Sequence, residues 1–188
     1  ESTGTIPSVA YFDKKYNKKW NGNTMVSMGI GQGEVATTPL QMANLLAIIA
    51  NRGYYYKPHI IKAIGEKESL NLRYSERLES GIEQRYFAPI IQGMEMAVQA
   101  GTARRAQIPG IQVAGKTGTA QNPHGKDHSV FSGFAPVNDP KIVVYVLVEN
   151  GEWGAAVATP IASLIMEYYL HRKVLRKDLE KSMMDLKI

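Results

Sequence analysis

The densest chemistry in this chain is the run Gly110-Ile-Gln-Val-Ala-Gly115-Lys116-Thr117-Gly118-Thr119, which packs an ammonium group and two hydroxyls between glycines. Two readings compete for it. Gly110 through Thr117 satisfies G-x-x-x-x-G-K-[ST], a loop whose backbone amides and lysine cradle phosphates. Such a loop needs a buried strand before its first glycine and a helix after its lysine, because the helix N-terminus aims amide dipoles at the phosphates. Arg104-Arg105-Ala106-Gln107-Ile108-Pro109 makes a poor buried strand. Gly118 and then Asn122-Pro123 oppose a helix after Lys116, and Ile111 to Ala114 is itself strand-like. This nucleotide-binding alternative predicts binding of ATP and magnesium by the chain alone.

The second reading puts Lys116-Thr117-Gly118-Thr119 inside a strand. So placed, the run resembles the K-T-G element of serine penicillin-recognising enzymes, whose other elements are S-x-x-K and S-x-N. In that resemblance Lys116 supplies a positive field beside an attacking serine and a substrate carboxylate. The hydroxyls of Thr117 and Thr119 can hydrogen-bond that carboxylate. Gly118 lets a substrate lie close against the strand edge, where a side chain would block it. The amide of Thr119 can donate to a developing oxyanion.

Other candidates are weaker. His124 and His128 have a spacing that suits a metal on a helix, but Asn122-Pro123 and Gly125 predict a loop. Gly29, Gly31 and Gly33 hint at a dinucleotide fingerprint, yet position 34 is Glu where a third glycine is required. Asp127-His128-Ser129 offers triad residue types, but neighbours on a strand point to opposite faces. Ser69-Leu70-Asn71 fits S-x-N and reads as a chance match in a charged surface connection.

Three groups of elements must position these residues. Residues 1–110 read as mostly helical and irregular, with the first 35 irregular around Met25 to Ile30. Thr38-Pro39-Leu40-Gln41 opens a helix over 38–52: Thr38 and Gln41 can form a capping box, Pro39 suits the first turn, and Gly53 suits a left-handed end. Tyr54 to Ile64 reads as extended, and 66–85 as an exposed connection. Ile90, Met94, Ala97 and Val98 predict a second helix over 83–100. Residues 111–149 supply three strands, Ile111 to Ala120, Ser129 to Val137 and Ile142 to Glu149. The turn Asn138-Asp139-Pro140 makes the last pair a hairpin. The third strand is apolar throughout Ile142 to Val148 and should be buried on both faces. Residues 154–188 read as an apolar helix over 156–170 with a basic tail that extends it. The fold class is α+β, an antiparallel sheet with flanking helices.

Composition bounds the rest. With 188 residues, 44% hydrophobic and 21% charged, the chain is globular. It has no cysteine, which excludes a disulfide framework, a cysteine nucleophile and a thiolate metal site. Lys plus Arg is 22 against 17 acidic residues, a net charge of +5, but no nucleic-acid-binding motif accompanies the excess. Apolar stretches such as Leu45 to Ala50 and Ile142 to Val148 fall far short of a membrane span.

Several blocks in one order carry a resemblance. Val26-Ser-Met-Gly-Ile-Gly-Gln-Gly33, Thr37-Thr-Pro-Leu-Gln-Met-Ala43, Gly101-Thr102-Ala103, Ala114-Gly-Lys-Thr-Gly-Thr-Ala-Gln121 and Phe131-Ser-Gly-Phe-Ala-Pro136 resemble class B penicillin-binding proteins. Leu147-Val-Glu-Asn-Gly151 is most similar to their penicillin-binding protein 2 branch. The likeness runs from about residue 4 to residue 170.

The resemblance implies the C-terminal portion of a β-lactamase/transpeptidase-like domain, holding three adjacent strands and the crossing C-terminal helix. It implies a serine acyl-enzyme that cross-links peptidoglycan stem peptides and is acylated by β-lactam antibiotics. Lys116, Thr117, Gly118 and Thr119 are the catalytic residues it carries over, with Thr117 and Thr119 also binding substrate. Metals and cofactors are not implied. A SEDS-type glycosyltransferase and the elongation machinery would be partners of the parent protein, working in the periplasm from an upstream membrane anchor. No serine here has a lysine three positions later, so the nucleophile should lie upstream and this chain alone should be inactive. A non-catalytic penicillin-recognition or sensor module is the other reading of the same blocks.

Overall fold

The computed structural model of the protein describes residues 3–61 and 72–187. Two short helices stand near its start, where the sequence suggested irregular chain. The helix α1 (Val9–Lys15) begins at Ser8, whose hydroxyl accepts from the amide of Tyr11 at 3.2 Å. The helix α2 (Gly22–Gly29) begins at Asn21, whose side chain accepts from the amide of Asn23 at 3.0 Å. Neither shows the apolar periodicity that announces a helix, because α1 buries only Phe12 and α2 buries nothing.

The expected capping box is present at α3 (Pro39–Ala50). The Gln41 amide donates to Thr38 Oγ1 at 3.2 Å, and the Thr38 amide donates to Gln41 Oε1 at 2.9 Å. Thr38→Ala should cost about 1 kcal/mol, measured as a lower urea midpoint at constant slope. At the other end Arg52 (φ 59°) shares the left-handed turn with Gly53 (φ 121°), so the glycine does not act alone.

Of the run from Tyr54 only its first two residues pair as a strand. The strand β1 (Tyr54–Tyr55) is followed by non-strand chain to residue 61, while 62–64 and Ser69-Leu70-Asn71 lie outside the described residues. The short helix α4 (Leu72–Ser75) then leads to β2 (Leu78–Glu79), which pairs antiparallel with β1. A 3-10 turn at Gln84–Tyr86 feeds α5 (Phe87–Gln99), whose buried face is Phe87, Ile91, Met94 and Val98. Ile91 is the inward residue here, and Ile90 is 47% exposed.

The main sheet is β3 (Ala114–Ala120), β4 (His128–Ala135) and β5 (Ile142–Val148), antiparallel in the order β3-β4-β5. Its register sets Lys116 opposite Ser132 and Gly118 opposite Val130. The first strand starts at Ala114, later than expected, because Ile111 folds back to bond the Ile108 carbonyl around Gly110 (φ 75°). With Lys116 inside β3 and no helix after it, the backbone amides cannot converge into a phosphate cradle, and the nucleotide-binding alternative is excluded.

Side-chain alternation divides the sheet's core in two. Ala114, Phe134, Val143 and Tyr145 pack with α3 and α5. Phe131, Ala135, Val144 and Val146 pack on the other side with α6 (Ala158–His171), through Ala158, Ala162 and Met166. β5 is less buried than its apolar sequence suggested: Val144 is buried, but Leu147 is 39% exposed. It is an outer strand, so the helices cover it incompletely. The basic tail does not extend α6. Arg172 (φ 58°) ends that helix, and α7 (Lys177–Met184) is a separate one. The observed class is α+β, a sheet with helices on both faces, as expected.

Candidate active site

β3 is an edge strand: β4 pairs with one side of it, and no described strand pairs with the other. In a strand the N–H and C=O of one residue point to the same edge, and successive residues alternate. The carbonyl of Thr119 accepts from Gln32 Nε2 at 2.9 Å, and the amide of Gln121 donates to Gln32 Oε1 at 3.4 Å. Thr117, Thr119 and Gln121 therefore turn their backbone groups to the open edge. The Thr119 N–H is thus directed to the open edge.

The four residues singled out from the sequence stand together on this edge. Lys116 projects toward α3 and α5, and its Nζ curls back to donate to the Thr117 carbonyl at 2.8 Å. Thr117 and Thr119, two residues apart, share the opposite face, so their hydroxyls can address one carboxylate. Gly118 lies between them; a Cβ there would come within 3.3 Å of the Val130 Cβ. Sequence reasoning missed two neighbours: Gln32 at the strand's end, and Thr102, whose Oγ1 lies 2.8 Å from Thr117 Oγ1. The Gly101-Thr102-Ala103 block was the signal available for Thr102, but nothing in it said which residue it would meet.

A cleft of about 430 Å³ opens beside Lys116 and Ser132. Its walls are apolar, with Met42, Leu45 and Ile49 from α3 and Ile90 from α5. Lys116 is exposed at the end of this open cleft, where its ammonium sets a fixed positive charge beside the strand edge.

The back of the strand is held by the loop from β5 to α6. Buried Ser129 donates to the Trp153 carbonyl and accepts from the Ala158 amide, each at 3.0 Å. These bonds press Gly154 onto the sheet so closely that a Cβ would sit 2.2 Å from the Gly118 carbonyl oxygen and 2.5 Å from that of Val130. Backbone cannot yield as a side chain can. Gly154→Ala should lift the loop and cost about 1–3 kcal/mol, as overpacking does; a thermal melt reads this directly.

The Gly-Gln-Gly turn that carries Gln32 is anchored through Glu34. The Tyr16 hydroxyl and the Lys15 ammonium, the latter at 2.9 Å, both donate to Glu34 Oε1. First the tyrosine and then the lysine hold the Glu34 carboxyl below the usual carboxylate range, while the same contacts raise the pKa of both donors. A depressed folded-state value contributes stability that is complete above the unfolded value near pH 4 and is lost as pH falls through the folded one. The turn should stay anchored from neutral pH down to about pH 5 and loosen only in stronger acid. Amide exchange across residues 31–35 measures this, and Glu34→Gln should abolish the acid dependence.

The remaining candidates do not assemble. His124 lies in the exposed turn and His128 in β4, where its Nδ1 accepts from the Asn150 amide at 3.0 Å. Asp127 accepts from Asn122, and Ser129 faces the α6 loop, so no triad forms. Among the described residues no group of three or more His, Asp or Glu side chains could hold a metal.

An α+β frame that displays Lys-Thr-Gly-Thr on the open edge of an antiparallel sheet, backed by a C-terminal helix, defines the serine penicillin-recognising class. Residues 11–167 match the penicillin-binding protein transpeptidase domain, and the chain belongs to that family. It is 32% identical over 208 residues to peptidoglycan D,D-transpeptidase MrdA of Haemophilus influenzae, a match covering 93% of this chain and 30% of that protein. The crystal structure of Pseudomonas aeruginosa PBP2 in complex with WCK 5153 superposes with a TM-score of 0.79 at 34% identity, covering 94% of this chain and 41% of that one. PBP2 from Helicobacter pylori in its complex with MreC gives a TM-score of 0.75 at 26% identity, over 91% of this chain and 32% of that one. The chain spans about 30% of the length of the first curated relative it matches.

Proposed function

We propose that this chain is the K-T-G-bearing C-terminal part of the transpeptidase domain of a peptidoglycan D,D-transpeptidase. The observation that carries the reading is the open β3 edge, with the Thr119 N–H free to meet an oxyanion and Lys116 and the two threonine hydroxyls beside it. A serine supplied by residues upstream attacks the carbonyl of a D-Ala-D-Ala bond. The carbonyl oxygen gains charge against the Thr119 N–H, the C–N bond breaks, and D-alanine leaves with the proton on its nitrogen. An amine from a neighbouring stem peptide then attacks the ester, and the serine recovers its proton. Lys116 favours the anionic intermediate in both halves, and Thr117 and Thr119 hold the terminal carboxylate. β-Lactams offer the same carboxylate and acyl carbon and acylate the same serine.

The finer assignment is to elongation, supported by the likeness to MrdA and to the PBP2 that forms a complex with MreC. In that setting the parent works in the periplasm from an upstream membrane anchor, beside a SEDS-type glycosyltransferase. No helix among the described residues is long and apolar enough to cross a membrane.

Fluorescent-penicillin labelling of this chain and of the longer protein that contains it tests the reading. Label on the longer protein alone is the expected result. Label on neither would favour the non-catalytic recognition module, and any label on the shorter chain itself would refute an upstream nucleophile.

A further inference from the structure

Gln32 is held by its own turn and reaches across the fold to the catalytic strand. Gly31 (φ 78°) and Gly33 (φ 81°) flank it in the left-handed region, which side-chain-bearing residues rarely adopt. The turn is tied back to α2, with the Gln32 amide donating to the Ser27 carbonyl at 3.0 Å and the Gly31 amide to that of Met28 at 3.0 Å. Glu34 fastens its far side to α1. The side chain thus emerges from a fixed base, and its carboxamide brackets Ala120, donating to the Thr119 carbonyl and accepting from the Gln121 amide. Those are the bonds that one residue of a neighbouring strand would make.

Resting on the transpeptidase reading, we infer that Gln32 is a positioning residue for acyl transfer. Its carboxamide stands in for a missing edge strand and keeps β3 extended through Ala120. Beyond Ala120 the chain leaves the sheet for the turn at 121–127, so without this bracket the end of the strand is held by β4 alone. Fraying there would swing the Thr119 peptide and with it the N–H that faces the oxyanion. Gln32 does not touch the reacting atoms; it fixes the direction of a group that does.

The test uses the longer protein, with Gln32→Ala and Gln32→Glu. Alanine removes both bonds. Glutamate keeps the size and can still accept from Gln121, but it sets an anionic oxygen against the Thr119 carbonyl. Stopped-flow acylation by a fluorescent penicillin separates the pre-covalent dissociation constant from the first-order acylation rate. In both variants that rate should fall about tenfold, short of the ~100-fold or more that follows outright loss of an oxyanion donor. The dissociation constant should stay within about threefold and the burst near one label per chain, the pattern of an interaction felt in the transition state. An unchanged acylation rate in Gln32→Glu overturns the inference. So does a reduced burst with a normal rate in the labelled fraction, which would make Gln32 merely structural. Should Gln32→Ala fail to fold, the near-isosteric Gln32→Glu still decides. Absence of label on the unsubstituted protein would overturn the transpeptidase reading and this inference with it.

Discussion

Lys116→Ala in the longer protein should slow penicillin acylation by about a hundredfold to a thousandfold, the loss typical of one preorganised electrostatic contact in a catalytic site. That is about 2.7–4 kcal/mol of barrier. The fold should hardly register the change. Lys116 is exposed, its ammonium makes one hydrogen bond, to the Thr117 carbonyl, and it has no acidic partner among the described residues. Surface changes of this kind move stability by about 0.5 kcal/mol or less. A large loss of rate with an unmoved Tm is therefore the expected signature. Lys116→Arg should recover only part of the rate, because a planar guanidinium cannot place a point charge where the ammonium stood. If Lys116→Ala were acylated at the normal rate, the positive field beside the nucleophile would have to come from elsewhere, and the proposed role of this residue would fail.

What was legible in the sequence was what local chemistry specifies. Thr38, Pro39 and Gln41 announce α3 because caps are satisfied within one turn. Asn138-Asp139-Pro140 separates two apolar runs too closely for anything but an antiparallel hairpin, and β4 pairs with β5 accordingly. The helices α1 and α2 were not legible, because both are short and bury little: α1 buries only Phe12, whose ring lies 5.7 Å from that of Trp20 and 6.2 Å from that of Tyr16, and α2 buries nothing. The late start of β3 was not legible either, since Ile111 is apolar enough for a strand but is spent on the turn around Gly110.

The candidate site divides along the same line. Lys116, Thr117, Gly118 and Thr119 are adjacent, so their alternation on one strand could be foreseen. Gln32 lies 87 residues from Thr119 in sequence, and only the folded chain brings its carboxamide to that carbonyl. Its motif was visible as Gly-Gln-Gly, but the glycines drew the eye and the residue between them carries the contact. Thr102 was hidden for the same reason, being 15 residues from the hydroxyl it meets.

The largest loss of stability should come from the far side of the sheet, at Arg176→Ala. Glu167 on α6 is 0% exposed, and its Oε2 accepts from Arg176 Nε at 3.3 Å, while Oε1 finds no hydrogen-bond partner among the described residues. The same guanidinium donates to the Gln107 carbonyl at 2.7 Å and to Ser163 Oγ at 3.2 Å, and Gln107 in turn caps the last carbonyls of α5 through Val98 and Gln99. Removing Arg176 leaves a carboxylate buried without its counter-ion, which costs about 3–5 kcal/mol. For a domain whose whole stability is about 5–15 kcal/mol, that is enough to loosen α6 from β4 and β5 and, through Gln107, to disturb α5, which packs against the K-T-G strand. Urea unfolding should show the drop. The combined change Glu167→Met and Arg176→Met should return most of it, because a well-packed apolar pair removes the desolvation cost along with the attraction. A loss under about 1 kcal/mol for Arg176→Ala, the range of an exposed pair, would mean that Glu167 turns to solvent once released. The clamp between α5, α6 and α7 would then contribute little to holding the β3 edge in place.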